Sequence, residues 1–409
     1  MGRHDTRGGP SRAPRAAAWA LCALAIACGS SPSSTRGGID PNAPDEILFQ
    51  QALGAYGAAR AARIAGDVAG AQSGFAQAQG RFDQLLATYP ASPRRDNSAY
   101  LAGRCGYELA GLAVDPAARN ALLLDAVARL EAMMAAYPAS PFLDNAAYFA
   151  GRSRFRLAEA HQSAARVAHQ VPDDAASAAE YALAVAGFDA AAAHFARTLS
   201  IAPFGTYGDN AQYYSGRTRY ELGSVEKAMS VVDPAGAVTH LAAASSHFAA
   251  AGAALAVLDQ AVTLPYSASS YLDNARYYLG RSFFDRPGPD HAAAIGAFTR
   301  VLLTAGSIYA DDALYHRGRS HYALAWAAAV PPAAAELDLA LADFLSVAAI
   351  SPASQYQDNA LRCQVQVHVD QGSCAAACAP YGQLLASYPT SAQTVEAQTY
   401  LNQKGCPAC

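Results

Sequence analysis

The sequence predicts an all-α solenoid: about seven helical hairpins stacked into a right-handed superhelix and closed by a C-terminal capping helix. Three observations predict it. The 409 residues are Ala-rich, 52% hydrophobic and only 15% charged, with few alternating runs of β-formers. That is a helical composition, and its length alone would allow two or three compact domains. One short phrase returns down the chain. Between its copies lie two segments of helical period, separated by turn-forming residues.

The phrase reads YPASPRRDNSAYLAGR at 89–104 and YPASPFLDNAAYFAGR at 137–152. It returns as PFGTYGDNAQYYSGR at 203–217, PYSASSYLDNARYYLGR at 265–281 and IYADDALYHRGR at 308–319, and, damaged, as SPASQYQDNALRC at 351–363. Its Asp falls at 96, 144, 209, 273, 311 and 358, spaced 48, 65, 64, 38 and 47 residues apart. Turn signals such as AVDPAARN, QVPDDA, VVDPAG and DRPGPD divide each interval. Each unit is therefore a helix, a turn and a second helix. A lone hairpin cannot bury its apolar face, so neighbours must stack. Units are expected at about 45–92, 93–140, 141–205, 206–269, 270–307, 308–354 and 355–391. The two long ones imply extended helices or loops.

Each word of the phrase has a physical reading. Pro after Tyr stops the second helix. Ser and Asp stand where the next helix opens and are expected to satisfy its orphan N–H groups. Gly103, Gly151, Gly216, Gly280 and Gly318 lie mid-helix, where Gly costs stability relative to Ala. Their return within one chain predicts a crossing too tight for a side chain.

YPxSPxxDNAxYxxGR followed by AxxxFxxLLxxYP resembles the tetratricopeptide repeat. It resembles in particular the form found in periplasmic proteins, among them the Tol–Pal-associated coordinators of envelope constriction and the lipoprotein subunit of the β-barrel assembly machine. The segment 388–403 is similar to the closing helix of the former. The resemblance implies a solenoid whose first helices line a concave groove, and partners that are other cell-envelope proteins. No trimerising coiled coil precedes the repeats.

The N-terminus reads as a targeting segment. MGRHDTRGGPSRAPR is a basic n-region and AAAWALCALAIA a short apolar h-region ahead of Cys28. LAIA-Cys28-GSS resembles a bacterial lipobox, with Leu24 one residue further out than usual. The expectation is a signal peptide over 1–28, lipidation at Cys28 and a flexible tether over 29–44. Repeats then fill 45–391, with a capping helix and Cys-containing tail over 392–409. Gly29 after the Cys favours the outer membrane, periplasmic face. The N-terminal arginines leave the remainder more acidic than the whole chain's −4, which argues against a nucleic-acid surface. Residues 236–258 carry no Asp, Glu, Lys or Arg. With Leu241, Phe248, Leu255 and Val262 seven apart, they read as a buried packed helix rather than a membrane span.

No catalytic motif is present: GxSxG, HExxH, GxxxxGK[ST] and a strand-borne GxGxxG are all missing. The expectation is a non-enzyme with no cofactor and no metal. His316 and His321, five apart, read as packing residues. Among the Cys residues beyond the signal, Cys105 stands alone, and Cys363, Cys374, Cys378, Cys406 and Cys409 crowd the end. Export favours disulfides joining the 363–378 group to the 406–409 pair. A tetrathiolate zinc site or a Cys406/Cys409 redox pair is the alternative.

The candidate binding residues share one helical face: Asn97, Tyr100, Arg104 and Tyr107; Asn145, Tyr148, Arg152 and Phe155; Asn210, Tyr213, Arg217 and Tyr220; Asn274, Tyr277, Arg281 and Phe284; Asp312, Tyr315, Arg319 and Tyr322. Arg grips carboxylates and Tyr offers rigid area. One reading is a groove for a peptide or helix of a partner, acidic or carboxylate-ended and held at the central rows by Arg217 and Arg281. The other is a self-satisfied ladder in which each Arg pairs with the Asp opening the next unit.

Overall fold

The computed structural model describes residues 40–170, 173–260, 266, 269–328, 332–350 and 354–406. The signal-like segment and Cys28 lie outside these. The chain divides into two compact units, 1–47 and Leu48–Cys409, and the second holds the repeats. Fifteen helices and no strand occur among the described residues.

They form seven hairpins and a cap. The pairs are α1 (Pro44–Ile64) with α2 (Val68–Thr88), α3 (Arg95–Leu112) with α4 (Pro116–Ala136), and α5 (Leu143–Gln170) with α6 (Asp174–Ile201). Next come α7 (Gly208–Val232) with α8 (Ala237–Asp259), and α9 (Leu272–Asp285) with α10 (His291–Leu302). Then follow α11 (Ala310–Ala328) with α12 (Ala334–Ile350), α13 (Gln357–Asp370) with α14 (Cys374–Ser387), and the capping α15 (Ala392–Gln403). The uneven repeat period is absorbed by helix length. Helices α5 and α6 have 28 residues each, whereas α9 and α10 have 14 and 12. Helices α3, α5, α7, α9 and α11 each touch the next in that series, and successive second helices have no comparable contact. The first helices therefore line the inner side of the stack.

The mid-helix glycines stand where the hairpins cross. A Cβ on Gly103 would lie 2.8 Å from Leu130 Cγ, on Gly151 2.9 Å from Phe195 Cε1, on Gly216 2.5 Å from Leu255 Cγ, on Gly280 2.6 Å from Phe298 Cε1 and on Gly318 2.8 Å from Phe344 Cε1. Each partner occupies the same place on its second helix and is fully buried or nearly so. In the last unit Val365 stands where the Gly would be.

The phrase's Ser and Asp accept amides where the next helix opens, as expected, and further caps stand on the second helices. Second helices are capped by Asp67, Asp115, Asp173 and Asp290, which accept from the amides of Gly70, Ala118, Ala176 and Ala293. Helices α3, α7, α9 and α13 have no side-chain cap. Their opening Asp lies inside the first turn and accepts the hydroxyl of the following unit's Ser, and at 96, 209 and 358 its other carboxylate oxygen accepts the next residue's amide.

Helix α8 is apolar, with a mean hydropathy of 1.6 over its most apolar 18 residues. Phe248 and Leu255 of its expected stripe are buried, but Leu241, Val238 and Val257 are exposed. The helix packs on α7 and α9 by one face only. Val262 lies outside the described residues.

Candidate functional site

The candidate ladder lies inside the stack. Tyr100, Tyr148, Tyr213, Tyr277 and Tyr315 are all buried. Each stacks on the aromatic that stands two residues before the next unit's Asp. Tyr100 faces Phe142 at 5.7 Å, Tyr148 faces Tyr207 at 4.5 Å, Tyr213 faces Tyr271 at 4.8 Å, Tyr277 faces Tyr309 at 4.3 Å and Tyr315 faces Tyr356 at 4.6 Å. Interplanar angles of 4–22° make these stacked pairs. Asn amides complete the rungs: Asn210 donates to the Tyr148 hydroxyl at 3.1 Å and Asn274 to the Tyr309 hydroxyl at 2.7 Å. Tyr315 donates to Asn359 at 3.5 Å and Tyr277 to Asp312 at 3.4 Å. The tyrosines thus bind neighbouring units together rather than presenting an open wall. The turn aromatics were visible in the quoted phrases, and their fixed offset from the Asp was the signal that could have found them.

The arginines are the part that reaches the inner surface. They do not pair with the Asp opening the next unit. Arg104 bonds Glu108 at 2.8 Å, Arg217 bonds Glu221 at 2.7 Å and Arg281 bonds Asp285 at 2.7 Å, each four residues on along its own helix. The guanidiniums also lie over rings: Arg104 at 3.5 Å from the Phe149 centroid, Arg217 at 3.9 Å from Tyr278 and Arg152 at 3.9 Å from Tyr214. The proposed central rows, Arg217 and Arg281, are therefore already matched by carboxylates. Arg319 is exposed over Phe284, with Ala323 four residues on.

The Arg152 row goes further and reverses the charge. Four residues after Arg152 stands Arg156, where the neighbouring rows have Glu or Asp. Arg152 donates to the Tyr148 hydroxyl at 2.9 Å, but its Nε is buried without a partner. Arg152 and Arg156 both lie over the Tyr107 ring, at 5.9 and 4.8 Å. Arg63, from α1, reaches the same place and shares Glu108 with Arg104. Burial pushes the Tyr107 phenol up, yet Arg152, Arg156, Arg104 and Arg63 together bring it below the usual tyrosine range. The inner face at α1, α3 and α5 is thus electropositive inside an acidic chain.

The histidines and cysteines resolve separately. His316 is a buried ring against Phe284 and Phe298, and His321 bonds Glu336 at 2.7 Å. Cys374 is disulfide-bonded to Cys406, Cα atoms 5.4 Å apart, tying α14 to the end of the capping helix. Cys378 is also disulfide-bonded, and Cys409 lies outside the described residues. A tetrathiolate or a Cys406/Cys409 redox pair is incompatible with that bond. Cys363 corrects the disulfide expectation: it is a free, buried thiol. It occupies the ring position held by Tyr278 and His316 in earlier units and packs with Tyr315 and Phe344, while Cys374 and Cys406 belong to the next core. Burial raises its pKa, and that of Cys105 to about 12, so neither is poised as a thiolate.

The fold is a tetratricopeptide-like α-solenoid. No family model matches the chain, and no curated protein matches it. Among solved structures it is similar to a tetratricopeptide repeat protein from Parabacteroides merdae, at 10% identity over 88% of this chain and 99% of that one, with a TM-score of 0.38. It is also similar to the S. pombe nuclear import adaptor Nro1, at 12% identity over 87% and 99%, with a TM-score of 0.37. A human IFIT1 dimer with m7Gppp-AAAA matches at 13% identity over 94% and 74%, with a TM-score of 0.32. Scores of this size carry no argument about binding, and the solenoid class rests on the hairpins themselves.

Proposed function

We propose that the protein is a non-catalytic scaffold of the bacterial cell envelope. It is anchored by lipid at Cys28 to the periplasmic face of the outer membrane and holds a peptide or helix of another envelope protein along its inner face. The observation that carries the binding role is the row of arginines from successive first helices, which reach the inner side with 12–17% of the Arg104, Arg217 and Arg281 side chains exposed while their tyrosines lock the units together. A rigid array that spaces cations along one face suits an extended partner. The lipobox-like LAIA-Cys28 and the Cys374–Cys406 disulfide both suit export to an oxidising compartment. Partners belong to outer-membrane assembly, division or export and motility machinery. Crosslinking in intact envelopes and co-purification tests the role, and intact mass of the exported form tests acylation at Cys28. A second reading has the convex side bridging large complexes, and the exposed Val238, Leu241 and Val257 of α8 favour it. Crosslinks mapping to α8 rather than to the first helices would select it.

A further inference from the structure

We infer that the inner face where α1, α3 and α5 meet is an anion site that takes the carboxylates of an acidic peptide segment, with Arg152 and Arg156 as its principal ligands. The inference rests on the scaffold reading above and says where on that face, and through what chemistry, the partner is held.

The charge count supports it. In the rows of Arg104, Arg217 and Arg281 an acid four residues on neutralises the guanidinium. At Arg152 that acid is replaced by Arg156. Four guanidiniums, Arg63, Arg104, Arg152 and Arg156, surround Tyr107, and Glu108 is the carboxylate that Arg63 and Arg104 share. Glu159 is the other nearby acid. It lies 3.9 Å from Arg217, in the next row, beside Glu221, and it also feels the charges of Arg152 and Arg156. Grouping like charges around a phenol costs folding free energy, and an apolar or self-paired wall would avoid that cost. Two features point to a ligand that offsets it. The Arg152 Nε is buried without a partner. Tyr107, only 7% exposed, makes no hydrogen bond to a described residue. A carboxylate arriving between Arg152 and Arg156 accepts from both guanidiniums and from the phenol, with charge-assisted geometry.

The decisive variant is Arg156→Glu, which restores at this row the acid found at 108, 221 and 285. A purely structural ladder is left intact or strengthened by it, and an anion site is abolished. The probe is a fluorescein-labelled hexaglutamate peptide titrated with the purified protein and followed by anisotropy, with inorganic phosphate as competitor. The expected result is saturable, salt-sensitive binding of the peptide by the wild type, at least tenfold weaker in Arg156→Glu, whose melting temperature is equal or higher. Equal affinity in the variant, or no binding of the peptide by the wild type, overturns the inference. Binding of phosphate in preference to the peptide overturns the carboxylate assignment. If Arg156→Glu still captures the envelope partner after crosslinking, the site is wrong and the scaffold reading stands. If the peptide binds but no envelope partner is captured, the site stands and the scaffold reading fails.

Discussion

Ser140 donates its hydroxyl to the Asp96 carboxylate at 2.9 Å, across the boundary between two hairpins, while accepting the amide of Phe142 in its own turn. The same double bond of Ser recurs along the array. Ser269, Ser307, Ser354 and Ser391 donate to Asp209, Asp273, Asp311 and Asp358 at 2.7–2.9 Å. They accept from the amides two residues on. The phrase therefore codes a turn and an inter-unit bond with one side chain.

The boundary between the third and fourth hairpins lacks this bond. Gly205 stands where the Ser belongs, and an ideal Cβ there would sit 3.2 Å from Asp144 Oδ2. Burial raises the Asp144 pKa, offset only by backbone amides. Gly205→Ser is expected to complete the pattern and stabilise the array by about 1 kcal/mol, typical of a net hydrogen bond to a part-buried acid. The Cβ comes 2.9 Å from that of Ala202, and the turns with Tyr137/Ser140 and Tyr266/Ser269 accommodate side chains at both places. A urea midpoint equal to or below that of the wild type would show that this turn cannot adopt the serine geometry.

Gly216→Leu and Gly280→Leu are expected to open their hairpins, since even the first carbon overlaps Leu255 or Phe298. The loss should be about 1–3 kcal/mol or more for overpacking of this kind. Gly80, exposed on α2 with nothing within 4 Å of its Cβ position, is the control. Gly80→Ala should gain up to about 1 kcal/mol from helix propensity. Circular dichroism melts of the three variants decide it, and unchanged melting of both leucine variants would contradict the crossing.

The hairpin count and the crossing glycines were legible because each obeys a local rule that repeats: a stop, a turn, a missing side chain. The ladder was half legible. Asn, Tyr and Arg on one helical face stood out by spacing, but which of them face a neighbour depends on how units stack. Tyr148 turned inward onto Tyr207 because the turn aromatic arrives from the next unit. The pairing of Arg217 with Glu221 is an i, i+4 relation open to inspection in the sequence. It marks Arg152–Arg156 as the row where a cation takes the acid's place once the rule is seen. Cys363 was misplaced because clustering in sequence says nothing about which face of α13 a residue occupies.

The Cys374–Cys406 bond closes a 32-residue separation, for which chain entropy alone provides about 3–4 kcal/mol. Cys374→Ser is expected to free α15, whose Leu401 and Ala397 pack against α13 and α14. Hydrogen exchange should show lost protection over 392–403 and near-native protection over α3–α8. Uniform loss along the chain would mean that the cap stabilises the whole array rather than its last hairpin.

The last prediction concerns pH. His240, at the start of α8, sets Nδ1 2.7 Å from Glu226 and Nε2 3.4 Å from Asp233. Only the imidazolium donates to both. The bond to Glu226, offset in part by burial, raises the His240 pKa above its ordinary 6.5. A histidine bound more tightly when protonated stabilises the fold fully below its unfolded pKa, and that contribution fades as pH rises through the higher folded value. His240→Gln should therefore cost more stability at pH 6 than at pH 8.5. His194, His247, His291 and His368 have pKa values lowered by burial, so they favour the fold in the opposite direction. Their contribution is common to both proteins and cancels in the difference. Urea unfolding of wild type and variant at the two pH values measures that difference directly. A gap that is equal at both, or larger at pH 8.5, would mean that His240 is held neutral and that the α7–α8 turn owes its stability to packing alone.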